Sequence, residues 1–345
     1  MKTSQIILIS CVLAACAFVI SGCDETQRKD GAVLTSASPD ELLPQAGRII
    51  EDGLSDEDPQ VKVKAIEVVA ETQQKRLMPR VQQLLKDDFV PVRFAAAAAV
   101  GDMAYAPAKS TVEQLQRARD ENTRIAAAYA MYKLGSLEKD IRLSSVEALE
   151  IIRKAIASKD ATIRANAAVL LGKSGDKESV KQLYWVMTDN NSDDKTRFQA
   201  AEAIARLGDE KIIKKLWTMI ISTYADDRMM GLNAMGALGT PTAKDVLITK
   251  LDDEVLEVRL TAAEQLGRLG DSSGEAEVIS VFTKAAATAG LDKMDMERVK
   301  VLAALAIGQI GTKPVTRYLP QLLQSESKFV RIAAAKAVFQ CTTRK

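Results

Sequence analysis

Apolar positions along this chain keep a helical period. In residues 257–271, EVRLTAAEQLGRLGD, an Arg is followed at three and four residues by Ala, at seven by Leu and at eleven by Gly. Residues 195–209, KTRFQAAEAIARLGD, repeat the order with Ile in place of the Leu. Positions three, four and seven after a residue share one face of an α-helix, so each stretch predicts a helix with a stripe of two small residues and a larger one. The Gly falls where that helix must end, and Gly takes the left-handed backbone of a C-terminal cap without strain. Eight and twelve residues beyond the Gly a second apolar pair recurs, as in Leu183/Met187, Leu216/Ile220, Leu247/Leu251, Val278/Phe282 and Leu319/Leu323. A spacing of four predicts a second helix with its own buried stripe. No segment after Ser38 alternates apolar and polar residues as a half-buried strand would.

The basic residue that opens each Ala-rich helix marks nine units, at Lys64, Arg93, Arg124, Arg164, Arg197, Arg228, Arg259, Lys300 and Arg331. Five of the eight spacings are 31 or 33 residues and one is 29; the remaining 40 and 41 mark insertions. Self-similarity at this period predicts helical hairpins stacked into an all-α solenoid over residues 39–345, each hairpin burying its stripes against its neighbours. Two joints are expected to pack less regularly: Lys64 lacks the Ala pair, and Arg228 is followed by Gly231 and Leu232. Ser38, Pro39 and Glu41 form a capping box with Pro in the first turn, which sets the start of the first helix.

Residues 1–22 follow a different pattern. Ile6 to Ile20 is an apolar run of fifteen residues, short for a membrane span and the length of a signal-peptide core. It ends at Ile20-Ser21-Gly22-Cys23, followed at once by the polar DETQRKD. This boundary resembles a bacterial lipoprotein signal, in which the Cys receives lipid and becomes the mature N-terminus. A second match at Leu13-Ala14-Ala15-Cys16 would leave the apolar AFVISG at the mature end; an uncleaved anchor or an ordinary secretory signal is the alternative. The resemblance implies lipidation of Cys23, a polar tether over residues 23–38, and a chain held at a cell membrane facing the periplasm or the exterior. Asp24 beside the Cys implies, by the rule of enteric-type bacteria, retention in the inner membrane.

Composition removes several functions. The chain has no His, which excludes a His-based catalytic triad and any His-ligated metal site. It carries 47 basic and 46 acidic side chains, and cleavage removes only Lys2, so the mature chain is balanced. A nucleic-acid binder would show a basic excess. Of the four Cys, Cys11 and Cys16 leave with the signal and Cys23 takes lipid; Cys341 remains alone, with no internal disulfide and no metal cluster. No catalytic residue, metal or cofactor is expected.

The pattern VRxxAAxxLGxLG, met closely by EVRLTAAEQLGRLGD and without the Gly by FVRIAAAKAV at residues 329–338, resembles the HEAT-like repeats of bacteria, including those of phycocyanobilin lyases. The resemblance implies that the basic anchors pair with acids in the turns to form a ladder between repeats, for which Asp88, Asp120, Asp160 and Asp253 lie nearby. It also implies that the second helix of each hairpin lines the concave side. Positions five and nine after the anchor then run along an inner groove, which nine helix pairs at about 8–10 Å each extend to about 70–90 Å. The residues expected to bind a partner there are Tyr129, Lys133, Lys173, Arg206 and Arg268, whose four cations would favour an acidic partner segment. Tyr184 and Trp217 occupy equivalent positions in adjacent repeats and either pack between repeats or anchor a partner. Two functions remain: a non-enzymatic, membrane-tethered scaffold for a protein of the cell envelope, or an enzyme or enzyme subunit of the bilin-lyase type. The absent His and the lack of any clustered Cys, Asp or Glu motif speak for the scaffold.

Overall fold

The computed structural model describes residues 37–135 and 142–343, and only the backbone of residues 142–145. The signal segment, Cys23, Asp24 and the tether up to residue 36 lie outside the described residues. Nineteen α-helices and no strand occur among them. In chain order they are α1 (Pro39–Leu54), α2 (Pro59–Glu71), α3 (Met78–Gln83), α4 (Val90–Asp102), α5 (Lys109–Leu115), α6 (Glu121–Gly135), α7 (Arg142–Ala155), α8 (Ala161–Ser174), α9 (Val180–Thr188) and α10 (Asp194–Arg206). The second half continues with α11 (Ile213–Ile220), α12 (Ala225–Leu238), α13 (Pro241–Thr249), α14 (Leu256–Arg268), α15 (Glu275–Thr283), α16 (Lys293–Ile310), α17 (Lys313–Thr316), α18 (Leu319–Leu323) and α19 (Lys328–Thr343). Ser38 stands at the first N-cap, but its side chain makes no capping bond; its carbonyl accepts from the Glu41 amide instead.

The Ala-rich helices α2, α4, α6, α8, α10, α12, α14, α16 and α19 pack each on the next and form an inner wall. Their stripes are buried as the spacing demands: Ala167, Ala168, Ala200, Ala262 and Ala263 are inaccessible to solvent, as are the Leu183, Leu216, Leu247, Val278 and Leu319 of the opposing helices. The eighth position after the anchor explains why so many inner helices carry a Gly there. A Cβ on Gly172 would stand 2.8 Å from Cα of Ala203, so only Gly lets α8 and α10 cross this closely.

The basic anchors act first on the backbone. Arg93, Arg124, Arg164, Arg228, Arg259 and Arg331 each donate from Nη1 to the two carbonyls five and six residues before them, at 2.6–3.3 Å. Those carbonyls belong to the turn that ends the preceding helix, and the Arg fork satisfies groups the helix leaves orphaned. The acid ladder forms in part. Asp120 accepts from Arg93 and from the Thr123 amide, and Asp253 accepts from Arg228 and from the Val255 amide. Each carboxylate thus holds both the turn that leads into its own helix and the cation of the repeat before. Asp160 only caps α8, and Asp88 contributes its carbonyl.

The first anchor is Lys62 rather than Lys64. Lys62 donates to Asp87 at 2.7 Å, while Lys64 pairs with Glu67 in solvent. The stripe after Lys62 reads Ala65, Ile66 and Val69, all inaccessible, so this joint is regular. The joint after Arg228 is regular too: Gly231 is needed because a Cβ there would meet Ile220 Cγ2 at 2.7 Å, and Leu232 is fully buried.

The solenoid closes on itself. α19 packs on both α1 and α2, Lys328 bridges to Asp56 at 2.8 Å, and Lys336 Nζ lies 2.5 Å from Glu71 Oε2. The expected open groove of about 70–90 Å is therefore corrected to the inner wall of a closed ring.

Candidate functional site

Placing the first anchor at Lys62 extends the row of positions five and nine around the ring. It places Glu67, Glu71, Asp102, Glu202 and Glu264 among Lys133, Lys173, Arg206, Arg268 and Lys336. The row is charge-balanced, so the argument for an acidic partner segment no longer holds. Glu71, Asp102 and Lys336 were missed in the sequence because their units were read two residues out of register or lacked the marker Gly. Gln73 and Ala104, eleven residues after Lys62 and Arg93, have the positive φ of that Gly.

The five expected contact residues fare differently. Tyr129 is 1% exposed and does not face a partner. It lies between α4 and α6, and its hydroxyl donates to Asp102 Oδ1 at 2.5 Å. Burial pushes that hydroxyl pKa up, and the Asp102 charge and hydrogen bond push it further. Lys173 reaches across α6 to donate to Asp102 Oδ2 at 2.6 Å. Arg206 pairs with Glu202 on its own helix at 2.6 Å. Lys133 is half-buried and Arg268 is exposed. Tyr184 is half-buried with its hydroxyl inaccessible, whereas Trp217 is 43% exposed and does not pack between repeats.

Ion pairs that skip a helix mark how sharply the wall curves. Lys173–Asp102 joins α8 to α4, and Arg298–Asp226 joins α16 to α12. At the seam, Glu71, Lys336 and Glu264 bring α2, α19 and α14 together electrostatically. Burial pushes the Glu71 carboxyl up, but Lys336, Lys173 and Arg268 together hold it below its ordinary value. Burial pushes Glu264 above its ordinary value against the pull of Lys336 and Arg268. Lys336 is lowered by burial and raised more by Glu71 and Glu264.

The inner wall contains a cleft of about 470 Å³ between α2, α4, α8 and the start of α10. Phe94, Ala98 and Val169 supply an apolar floor; Glu67, Asp102, Lys173 and Lys195 stand around it. Asn166 donates to Asn122 at 2.8 Å across the same surface. Among the described residues no group of three or more His, Cys, Asp or Glu side chains is placed to hold a metal. The arrangement offers shape, hydrogen bonds and paired charges rather than a nucleophile with its base.

A family model described as HEAT repeats matches residues 48–132 and 149–230, and the helical hairpins above make the chain an all-α solenoid of HEAT-like repeats. No curated protein matches it. Among solved structures, human deoxyhypusine hydroxylase in complex with glycerol is similar at 14% identity and a TM-score of 0.39, covering 80% of this chain and 99% of that one. The CpcE and CpcF complex of phycocyanin lyase from a Nostoc species is similar at 16% identity and a TM-score of 0.32, covering 92% of this chain and 98% of that one. Importin beta gives 16% identity and a TM-score of 0.35, covering 86% of this chain and 46% of that one.

Proposed function

We propose that the chain is a non-enzymatic scaffold, held at a bacterial membrane by lipid on Cys23, that binds a protein partner of the cell envelope on its inner wall. The observation that carries the binding reading is the cleft along α4. From Pro91 to Asp102 it runs about 16 Å at the rise of a helix, enough for about five residues of extended chain. An apolar floor with hydrogen-bonding groups at its edges suits the alternating side chains and backbone of such a segment. Partner chemistry follows from the balanced row: a segment of mixed charge is favoured over a uniformly acidic one.

The test places a photo-crosslinking residue in the cleft at Val169, and a control at Glu113, exposed on α5. Irradiated cells should give one protein adduct from Val169 and none from Glu113. Equal adducts from both sites, or none from Val169, would overturn the inner-wall reading. The anchor is tested separately: Cys23→Ser should abolish palmitate labelling and leave the signal uncleaved, and undiminished labelling refutes it.

A further inference from the structure

We propose that the outer wall formed by α9 and α11 rests on the surface of an anionic lipid bilayer. The setting depends on the membrane-tethered reading above; the surface itself is argued from its own residues. The chain has two Trp, and both stand on these neighbouring outer helices: Trp185 is 53% exposed and Trp217 43%. Ile221 and Tyr224, at the end of α11 and in the turn after it, are 71% and 72% exposed. The solenoid thus buries the Ala pairs of its stripes but leaves both of its Trp in water on one stretch of wall. Trp and Tyr combine an apolar ring with a polar tip, which fits the boundary between headgroups and acyl chains.

The two helices sit side by side. Met187 and Thr188 of α9 and Lys215, Thr218 and Met219 of α11 line one cleft of about 380 Å³. Charge selects the occupant. α9 and α11 contain Lys181, Lys214 and Lys215 and no acid. All three lysines are exposed, and none is ion-paired among the described residues. Acids border the face: Asp176 is held by Arg153, Asp209 caps its own turn, and Glu178 and Glu210 are exposed before the helices, while Asp194, paired with Arg197, and Asp227, which accepts from Ser222, line the cleft between them. A second copy of this face would set lysine against lysine. An anionic lipid surface instead accepts the ammonium groups at the phosphates while the rings sink beside them.

The unit from Leu34 onward has its own continuous core, so the chain from Asp24 onward can be tested without lipid on Cys23. Both Trp lie in the patch, so intrinsic fluorescence reports on it directly. Vesicles of phosphatidylglycerol with phosphatidylcholine should shift the emission to the blue, and brominated acyl chains should quench it. Pure phosphatidylcholine should bind far more weakly, and about 0.5 M salt should release the protein. Binding should weaken roughly fivefold for each lysine reversed in Lys181→Glu, Lys214→Glu and Lys215→Glu. No shift and no co-sedimentation with anionic vesicles would overturn the proposal. So would undiminished binding by the triple variant with its helical circular dichroism intact, or a photo-crosslinker at Trp185 that captures protein and no lipid in cells. Because Cys23 carries no lipid in the vesicle assay, a negative result there leaves the anchor to be judged by palmitate labelling.

Discussion

Ala104 and Gln73 hold backbone conformations that their side chains resist. Their φ values are 47° and 56°, where the later repeats place Gly175, Gly208, Gly239, Gly270 and Gly311. A non-Gly residue in the left-handed region costs about 1–2 kcal/mol, and Gly returns about 0.5–1 kcal/mol of that as lost chain entropy. Ala104→Gly should therefore stabilise the fold by about 0.5–1 kcal/mol. Gly270→Ala should destabilise by a similar amount, since the added Cβ meets nothing within 4 Å and only the dihedral resists. Urea unfolding of both variants checks the pair, and shifts in the same direction would refute the account. Glu264 offers a second test. Its carboxyl is raised above the ordinary 4.5, burial being the main cause, so the fold favours the protonated form. That stability is fully present below the unfolded value and is lost as pH rises through the folded one. Glu264→Gln should thus be the more stable protein at pH 7.5, and the difference should vanish near pH 4. A gap that ignores pH would show that the carboxylate is well accommodated by Lys336 and Arg268.

At the level of helices and joints, most of the architecture was legible because the stripe repeats. Ala262, Ala263 and Leu266 lie where their spacing put them, and all three are inaccessible. The register of α2 was not legible. Val61-Lys62 and Val63-Lys64 offer the same dipeptide two residues apart, and a Gln stands where Gly marks later repeats. Only packing decides: Lys62 and Asp87 are 16% and 8% exposed, Lys64 and Glu67 are 57% and 45%. Removing one partner of a shielded pair strands the other, whereas an exposed pair contributes little. Lys62→Ala should cost about 2 kcal/mol and Lys64→Ala less than about 0.5 kcal/mol in urea unfolding. Equal costs would restore Lys64 as the anchor. The site was legible only in half. Lys173, Arg206 and Arg268 share one row, and Glu202 balances Arg206 from its own helix, but Glu67, Glu71 and Asp102 come from α2 and α4, whose Gly marker is absent. Tyr129 was misplaced for another reason: helical phase puts a residue on a face, but the approach of α4 decides whether that face sees solvent.

Closure of the ring belongs to the whole molecule, and no short stretch of sequence encodes it. It is the sum of nine small rotations, each set by side-chain volumes at one joint. Its consequence is economical: open solenoids need terminal repeats with a polar outer face, whereas here α1 and α19 cover each other. α19 can accordingly bury Ile332, Ala333, Ala334 and Ala335, as an interior repeat would. Gly53 belongs to the same seam, since a Cβ there would stand 3.0 Å from Ala65 Cβ and 3.4 Å from Ile332 Cδ1. The seam also carries a direct chemical handle. Lys328 Nζ lies 2.8 Å from Asp56 Oδ2, although the two stand 272 positions apart in sequence. A carbodiimide joins an amine to a carboxylate with no spacer, so only groups already in contact react. Treated at low protein concentration, the monomer should yield a peptide pair joined through Asp56 and Lys328, identified by mass spectrometry. Asp56→Asn should abolish that product while sparing the Lys173–Asp102 link inside the ring. Burial raises the Asp56 carboxyl, but the Lys328 bond and charge pull it below its ordinary 3.8. The Asp56 carboxyl therefore stays charged, and its contact with Lys328 persists, down through mildly acidic conditions. A monomer that gives the Lys173–Asp102 link but never the Asp56–Lys328 link would mean that the solenoid stands open in solution, and that the inner wall is a groove with two free ends.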